Sequence, residues 1–288
     1  YRKNGRHLTA PPQDLIEDLD TLPFPDRSKT DIRAYHDYLL FGMRKPYITM
    51  MASRVCPYRC SVCVSYKLWD CRYRQRSVGN VLAEIDDAVA RYGVKYIGFQ
   101  DDVFGGSDAW IEKFCEELLK RPYRLRWMAI LHPFSIRKDT DRLLRLMKKA
   151  GCDTLSFGLQ SADPEILKRV GRSPDEPQAL LKLVRAADRI GLLTYAMYIF
   201  GLPGETRETI KTTTEYSLRC GSTLVTYNVF YSLRGSKIEN QYQGQPVCAI
   251  GQDELVKLSM AASRKFYLSL GTLRRLAYFI AKNPDRVK

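Results

Sequence analysis

Long apolar runs are missing from this 288-residue chain. None approaches the roughly 20 residues that a helix needs to cross a bilayer, so no membrane span is expected. The opening residues, Tyr1-Arg2-Lys3-Asn4-Gly5-Arg6, lack the apolar segment of a secretory signal. Acid is in short supply: 32 Asp and Glu face 46 Lys and Arg, a formal net charge of +14. That excess fits a polyanionic partner or an acidic substrate, and equally a basic solvated surface. Compositional bias is also lacking. Apolar residues make 45% and charged residues 27%, which excludes collagenous, low-complexity and wholly disordered chains. The eight cysteines are too sparse for a disulfide scaffold. They predict a metal site and a few buried thiols in a reducing, cytoplasmic compartment. The sequence starts without Met and is expected to be an excerpt of a longer protein.

What is present is an alternation. Prolines 11, 12, 23, 25 and 46 punctuate an irregular lead-in with one short helix expected around residues 29–40. Short β-type runs then stand at 47–51, 96–100, 127–131, 154–159, 193–200 and 224–231. Between them, helical apolar spacing covers 81–92, 110–119, 143–150, 180–190 and 205–220, three of these ending at Gly151, Gly191 and Gly221. Strands that alternate with helices predict parallel βαβ units in an α/β fold. The spacing alone allows an open doubly wound sheet or a barrel. Either way, the chemistry belongs at the C-terminal ends of the strands. A helical, basic tail follows from residue 252, where a solvated face or an anion-binding helix are the readings.

The strongest signal follows the first strand: Cys56-Pro57-Tyr58-Arg59-Cys60-Ser61-Val62-Cys63. Three thiols on one tight loop cannot pair as disulfides without one left over. They can hold three irons of a [4Fe–4S] cube and leave the fourth iron open to a ligand. Cys71 lies eight residues beyond Cys63 and offers the rival reading, a four-cysteine zinc or electron-transfer site on Cys56, Cys60, Cys63 and Cys71.

C-x3-C-x2-C after the first strand of a β/α array resembles the radical S-adenosylmethionine (SAM) enzyme superfamily. The resemblance covers roughly residues 47–235. It implies a partial TIM-type (β/α)6 barrel over 46–235, a lead-in or linker over 1–45 and a helical C-terminal extension over 236–288. It implies that Cys56, Cys60 and Cys63 hold a [4Fe–4S] cluster. The open iron would bind SAM, which is cleaved to a 5′-deoxyadenosyl radical that takes hydrogen from an organic substrate. Val62 stands where the family contacts adenine, although an aromatic residue is common there. Asp101-Asp102 replace a Gly-Gly-Glu element whose acid meets the SAM amino group. The stretch Gly158-Leu159-Gln160-Ser161 through Arg172 resembles oxygen-independent coproporphyrinogen oxidases. By that match Gln160 or Ser161 meets ribose or methionine, and Arg172 takes the methionine carboxylate, for which a guanidinium suits bidentate capture. Gly201-Leu202-Pro203-Gly204-Glu205-Thr206 matches a frequent superfamily string, with Gly201 and Gly204 letting backbone approach a ligand.

A narrower resemblance rests on the lead-in, on Leu68-Trp69, on the Arg72–Ser77 stretch, on Asp101-Asp102-Val103-Phe104 and on Phe266-Tyr267-Leu268. These are similar to cobalamin-binding radical SAM proteins. The three histidines, His7, His36 and His132, form no D-x-H pair, so cobalamin would bind through a domain not in this chain. The resemblance implies C-methylation or ring chemistry on a small organic substrate, with flavodoxin or ferredoxin as electron donor. The net charge of +14 keeps open a second reading, a methylthiotransferase-like enzyme that modifies tRNA. A non-enzymatic zinc-binding protein is the third.

Overall fold

Six of the predicted strands form one parallel sheet. They are β1 (Tyr47–Met50), β2 (Tyr96–Phe99), β3 (Arg126–Leu131), β4 (Cys152–Gln160), β5 (Leu193–Phe200) and β6 (Leu224–Val229). The computed structural model describes residues 2–3, 5–7, 13–34, 45–65 and 71–282. Each strand pairs with its neighbour in sequence, in the order β6-β5-β4-β3-β2-β1. This order decides between the two parallel architectures. A doubly wound sheet reverses its strand order at a switch point; this one does not. Right-handed crossovers that always step the same way carry every connecting helix to one face. The result is the partial (β/α)6 barrel, with β1 and β6 at its two edges.

The connecting helices are α1 (Val78–Tyr92), α2 (Asp108–Leu119), α3 (Thr140–Lys149), α4 (Pro164–Arg169), α5 (Glu176–Arg189) and α6 (Arg207–Cys220). Five of these six helices start at a side-chain cap, and α5 starts without one. Ser77 accepts from the Asn80 amide, so α1 begins three residues before its apolar period does. Asp163 caps α4, a short helix that its own length hid from the periodicity. After β6 come α7 (Lys237–Tyr242), α8 (Gln252–Tyr267) and α9 (Leu270–Lys282). The predicted basic tail is therefore two helices, and residues 283–288 lie outside the described residues. At the sheet edge, the Tyr267 hydroxyl of α8 accepts from the Val225 amide and donates to its carbonyl, occupying backbone groups of β6.

The lead-in packs on α1. Leu19 and Ile32 are buried, and Arg27 pairs with the buried Glu84 at 2.6 Å. Arg76 reaches the other oxygen of Glu84 at 2.5 Å. The expected helix around 29–40 is represented by a 3-10 turn at Ile32–Ala34, and residues 35–44 lie outside the described residues.

Between β2, β3 and α2, aromatic rings fix the loop that leaves β2. Phe104 packs at 4.6 Å from Phe99 and at 5.5 Å from Trp127, and Phe114 meets Trp127 edge-on at 5.5 Å. The Phe104 amide donates to the Ile130 carbonyl at 2.9 Å. Asp101 and Asp102 thus sit on a loop anchored by a buried ring. Phe114→Ala removes the centre of this cluster and should destabilise the protein by about 3–5 kcal/mol, read from urea unfolding.

Candidate active site

The C-terminal ends of β1 to β5 surround a cavity of about 400 Å³. Its walls include Cys56 from the loop after β1, Asp101 and Asp102 after β2, His132 after β3, Gln160 at the end of β4, and Arg172. These groups lie far apart in sequence. Winding alone brings them together.

The cysteine loop is pinned by segments far along the chain. The Ser61 amide donates to the Val170 carbonyl at 3.0 Å, and the Ile238 amide to the Ser61 carbonyl at 3.2 Å. Within the loop, the Cys63 amide donates to the Cys60 carbonyl at 3.1 Å, and the Ser65 amide to Cys63 Sγ at 3.3 Å. Burial pushes the Cys56 thiol up to about 12, with smaller pushes from Cys60, Asp102 and Cys63. Burial also raises Cys60, against the nearby Arg172 cation. A metal that binds here displaces those protons. Cys71 does not line the cavity, and residues 66–70, with Leu68-Trp69, lie outside the described residues.

The acid pair divides its labour. Asp101 is fully buried; it accepts from the Ala52 amide at 3.0 Å and from the Ser53 hydroxyl, which ties the ends of β1 and β2. Burial pushes its carboxyl up to about 6. Asp102 is exposed and accepts from Ser65 Oγ at 2.7 Å, beside Cys63. Gln160 has φ +72 at a register shift against β5. Such a bulge re-aims a side chain, here at the cavity rim.

Arg172 enters the cavity from the turn after α4. Its Nε donates to Glu176 Oε2 at 2.8 Å, its Nη2 to the Gly158 carbonyl at 2.7 Å, and its Nη1 lies 3.9 Å from Cys60 Sγ. In this structure Glu176 occupies the guanidinium edge best suited to bidentate capture of a carboxylate. With Nε and Nη2 so held, the accessible donor is Nη1. Glu176 and His132 are neighbours of Arg172 at this cavity that sequence reading missed. Glu176 looks like an ordinary first-turn acid of α5, and His132 like a polar residue ending a strand. Burial acts to raise Glu176, but His132 and Arg172 outweigh it and leave it below its ordinary value. Burial lowers His132 below its ordinary value, against the pull of the Glu176 carboxylate.

Three predicted residues point elsewhere. Ser161 is fully buried, its hydroxyl 3.2 Å from that of Thr213 on α6, and it caps the Asp163 amide at 3.2 Å. The turn at Gln160 reverses which neighbour faces inward. Val62 packs with Ile166, Val170, Leu202, Phe230 and Ile238, because that apolar cluster is what its side chain meets under the loop. Gly201 has φ +91, and a Cβ there would sit 2.6 Å from Leu255 Cδ1. Its missing side chain therefore makes room for α8, and it borders a separate cavity of about 420 Å³ with Phe230 and Cys248.

A β/α barrel with a three-thiol loop after its first strand and acids, amide and guanidinium around the same mouth defines a class of enzyme. The chain belongs to the radical SAM superfamily, whose family model matches residues 50–216. It is 31% identical over 219 residues to an uncharacterized methyltransferase of Pyrococcus horikoshii, covering 75% of this chain and 45% of that protein. It is 30% identical over 210 residues to an anaerobic magnesium-protoporphyrin IX monomethyl ester cyclase of Rubrivivax gelatinosus, covering 73% and 37%. The chain thus spans less than half the length of these curated relatives. A radical SAM methyltransferase, TsrM, of Kitasatospora setae, solved with cobalamin and a [4Fe–4S] cluster, superposes with TM-score 0.60 at 26% identity, over 68% of this chain and 37% of that one. No helix among the described residues is long and apolar enough to cross a membrane.

The family implies a [4Fe–4S] cluster and SAM, and the donor set fits the cluster. A cube takes one thiolate on each of three irons.

Glu205 supplies a pH test of the scaffold behind the site. Its Oε2 accepts from the Gly201 and Leu202 amides at 2.6 and 3.1 Å, and burial pushes it up to about 7. A carboxyl raised on folding favours the folded state most where it is protonated. Its contribution is full below the unfolded value of 4.5 and is lost as pH climbs towards 7. Unfolding free energy should therefore drop between pH 5 and pH 8 by a component of up to about 3 kcal/mol that Glu205→Gln lacks. Parallel urea-unfolding profiles for the two proteins across that range would exclude this role.

Proposed function

We propose that this chain is the radical SAM portion of a cobalamin-associated enzyme that C-methylates, or forms a ring in, a small organic substrate. The observation that carries the reading is the convergence of Cys56, Asp101, Asp102, Gln160 and Arg172 on one cavity at the strand ends. Cys56, Cys60 and Cys63 hold the [4Fe–4S] cluster. When bound, that cluster would supply the single electron for reductive cleavage of SAM, the chemistry that yields methionine and a hydrogen-abstracting 5′-deoxyadenosyl radical.

The chain's own residues bind and orient. Arg172 Nη1 receives the methionine carboxylate in a charge-assisted bond. Asp102 receives the methionine ammonium, and Gln160 a ribose hydroxyl. Asp101 holds the β1 and β2 ends in register and keeps the loop in place. Val62 supports the adenine side of the loop from below. Ile130, Leu131 and Met197 give the cavity an apolar wall that shields a radical from water. The substrate class follows the relatives' methyltransferase and cyclase names. Cobalamin comes from a domain outside this chain, and the electron from a flavodoxin- or ferredoxin-type donor.

Anaerobic reconstitution tests the reading. About four iron per chain and 5′-deoxyadenosine formation with dithionite are expected, and one colourless zinc per chain would overturn it. Cys60→Ala should lose both iron and SAM cleavage, while Cys71→Ala keeps its iron. Arg172→Ala should weaken SAM binding by at least tenfold, measured by equilibrium dialysis on iron-loaded protein.

A further inference from the structure

One edge of the Arg172 guanidinium faces the cysteine loop, and the surrounding groups keep it there. Nε and Nη2 are committed to Glu176 Oε2, at 2.8 Å for Nε, and Nη2 also donates to the Gly158 carbonyl at 2.7 Å. Glu176 is fixed in turn. Its Oε1 accepts from the Ser173 amide at 3.1 Å and lies 3.5 Å from His132 Nε2. The tautomer of His132 follows from its other nitrogen. Nδ1 accepts from the Phe134 amide at 3.2 Å, so the ring proton sits on Nε2 and faces Glu176. The same ring stacks on Tyr58 of the cysteine loop, with centroids 3.7 Å apart and planes 18° from parallel. Only 7% of the Arg172 side chain and 2% of the Glu176 side chain reach solvent. Nη1 remains, 3.9 Å from Cys60 Sγ.

We propose that Arg172 donates through Nη1 to the Cys60 sulfur and raises the reduction potential of the cluster, with Glu176 and His132 as positioning residues that hold the guanidinium edge-on to the loop. This rests on the reading above that Cys60 ligates the cluster. Hydrogen bonds to a ligating sulfur and nearby positive charge both favour the reduced, more negative state. The step itself is the uptake of one electron from a flavodoxin- or ferredoxin-type donor. No bond forms or breaks in it, and Arg172 keeps its proton throughout. Nη1 carries two N–H groups. One serves the sulfur and the other serves a carboxylate, so a single guanidinium links SAM binding to the ease of reduction.

The arrangement also separates charge from geometry. Lysine at this position keeps the charge but cannot reach Glu176, the Gly158 carbonyl and the Cys60 sulfur together. The test is a redox titration of the anaerobically reconstituted protein, poised with dithionite and mediators and followed by the EPR signal of the reduced cluster. In Arg172→Met the one-electron equilibrium should shift about tenfold towards the oxidised cluster, which is a midpoint about 59 mV lower. Arg172→Lys should move in the same direction. Arg274→Met, which removes an exposed cation on α9, should titrate with the wild type. An unchanged or raised midpoint in Arg172→Lys overturns the proposal. Loss of iron from both Arg172 variants overturns it too, since Arg172 would then hold the loop rather than tune the cluster. A wild-type protein that takes up no iron refutes the cluster reading instead, and is told apart at the loading step.

Discussion

Stepping always in one direction is the constraint on which the molecule depends. Because each strand lies beside its predecessor, six C-terminal strand ends form one rim. The loop after each of the first four strands then needs only a few residues to reach a common centre. The cysteine loop, the Asp101-Asp102 turn, His132 and the Gln160 to Arg172 stretch arrive there from β1, β2, β3 and β4. The register between β1 and β2 is held by more than backbone. Asp101 accepts from Ala52 and Ser53 across the strand ends, so one buried carboxylate joins the two loops that matter most.

Much of this was legible in sequence, and the reasons are physical. Period-2 and period-3.6 apolar patterns report which side of an element is buried, and burial is what the barrel fixes most strongly. All six strands and the five long crossover helices were readable on that ground. The choice of barrel over doubly wound sheet was not, since both use the same βαβ unit and differ only in which neighbour each strand takes. The family resemblance supplied it. Short helices such as α4 are set by an Asp cap and a Pro at the first turn, with too few residues to show a period. The site divides along the same line. Cys56, Asp101, Asp102, Gln160 and Arg172 project from strand ends or tight turns, where position along the chain predicts position in the cavity. Ser161 and Gly201 stand beside such positions but are turned by local backbone, at a left-handed Gln160 and at a glycine making room for Leu255. A one-residue offset at a bulge reverses the face of a side chain, and composition carries no record of it.

Glu176 and His132 show a different limit. Each has an ordinary local reason to exist, one as a first-turn acid and one as the end of an apolar strand. Their meaning comes only from each other and from Arg172, 40 residues beyond His132. No single-residue pattern encodes a relation of that kind.

A buried ion pair is a poor device for stability. The desolvation of Arg172 and Glu176 offsets most of their attraction, and well-packed apolar residues of the same volume would hold this turn as firmly. Removing one partner, by contrast, leaves a buried charge alone, with a penalty of about 3–5 kcal/mol. What the pair does supply is direction. A guanidinium restrained at Nε and Nη2 can present only Nη1, and it presents Nη1 to the sulfur of Cys60 and the space beside it. An unpaired arginine at the same place would turn towards whichever anion lay nearest, including the Asp102 carboxylate that faces the same cavity. Glu176 prevents that collapse by satisfying the charge from behind. The pair is thus best understood as an orienting element: it holds a cation ready at the mouth of the cysteine loop without letting the cavity's own acids consume it.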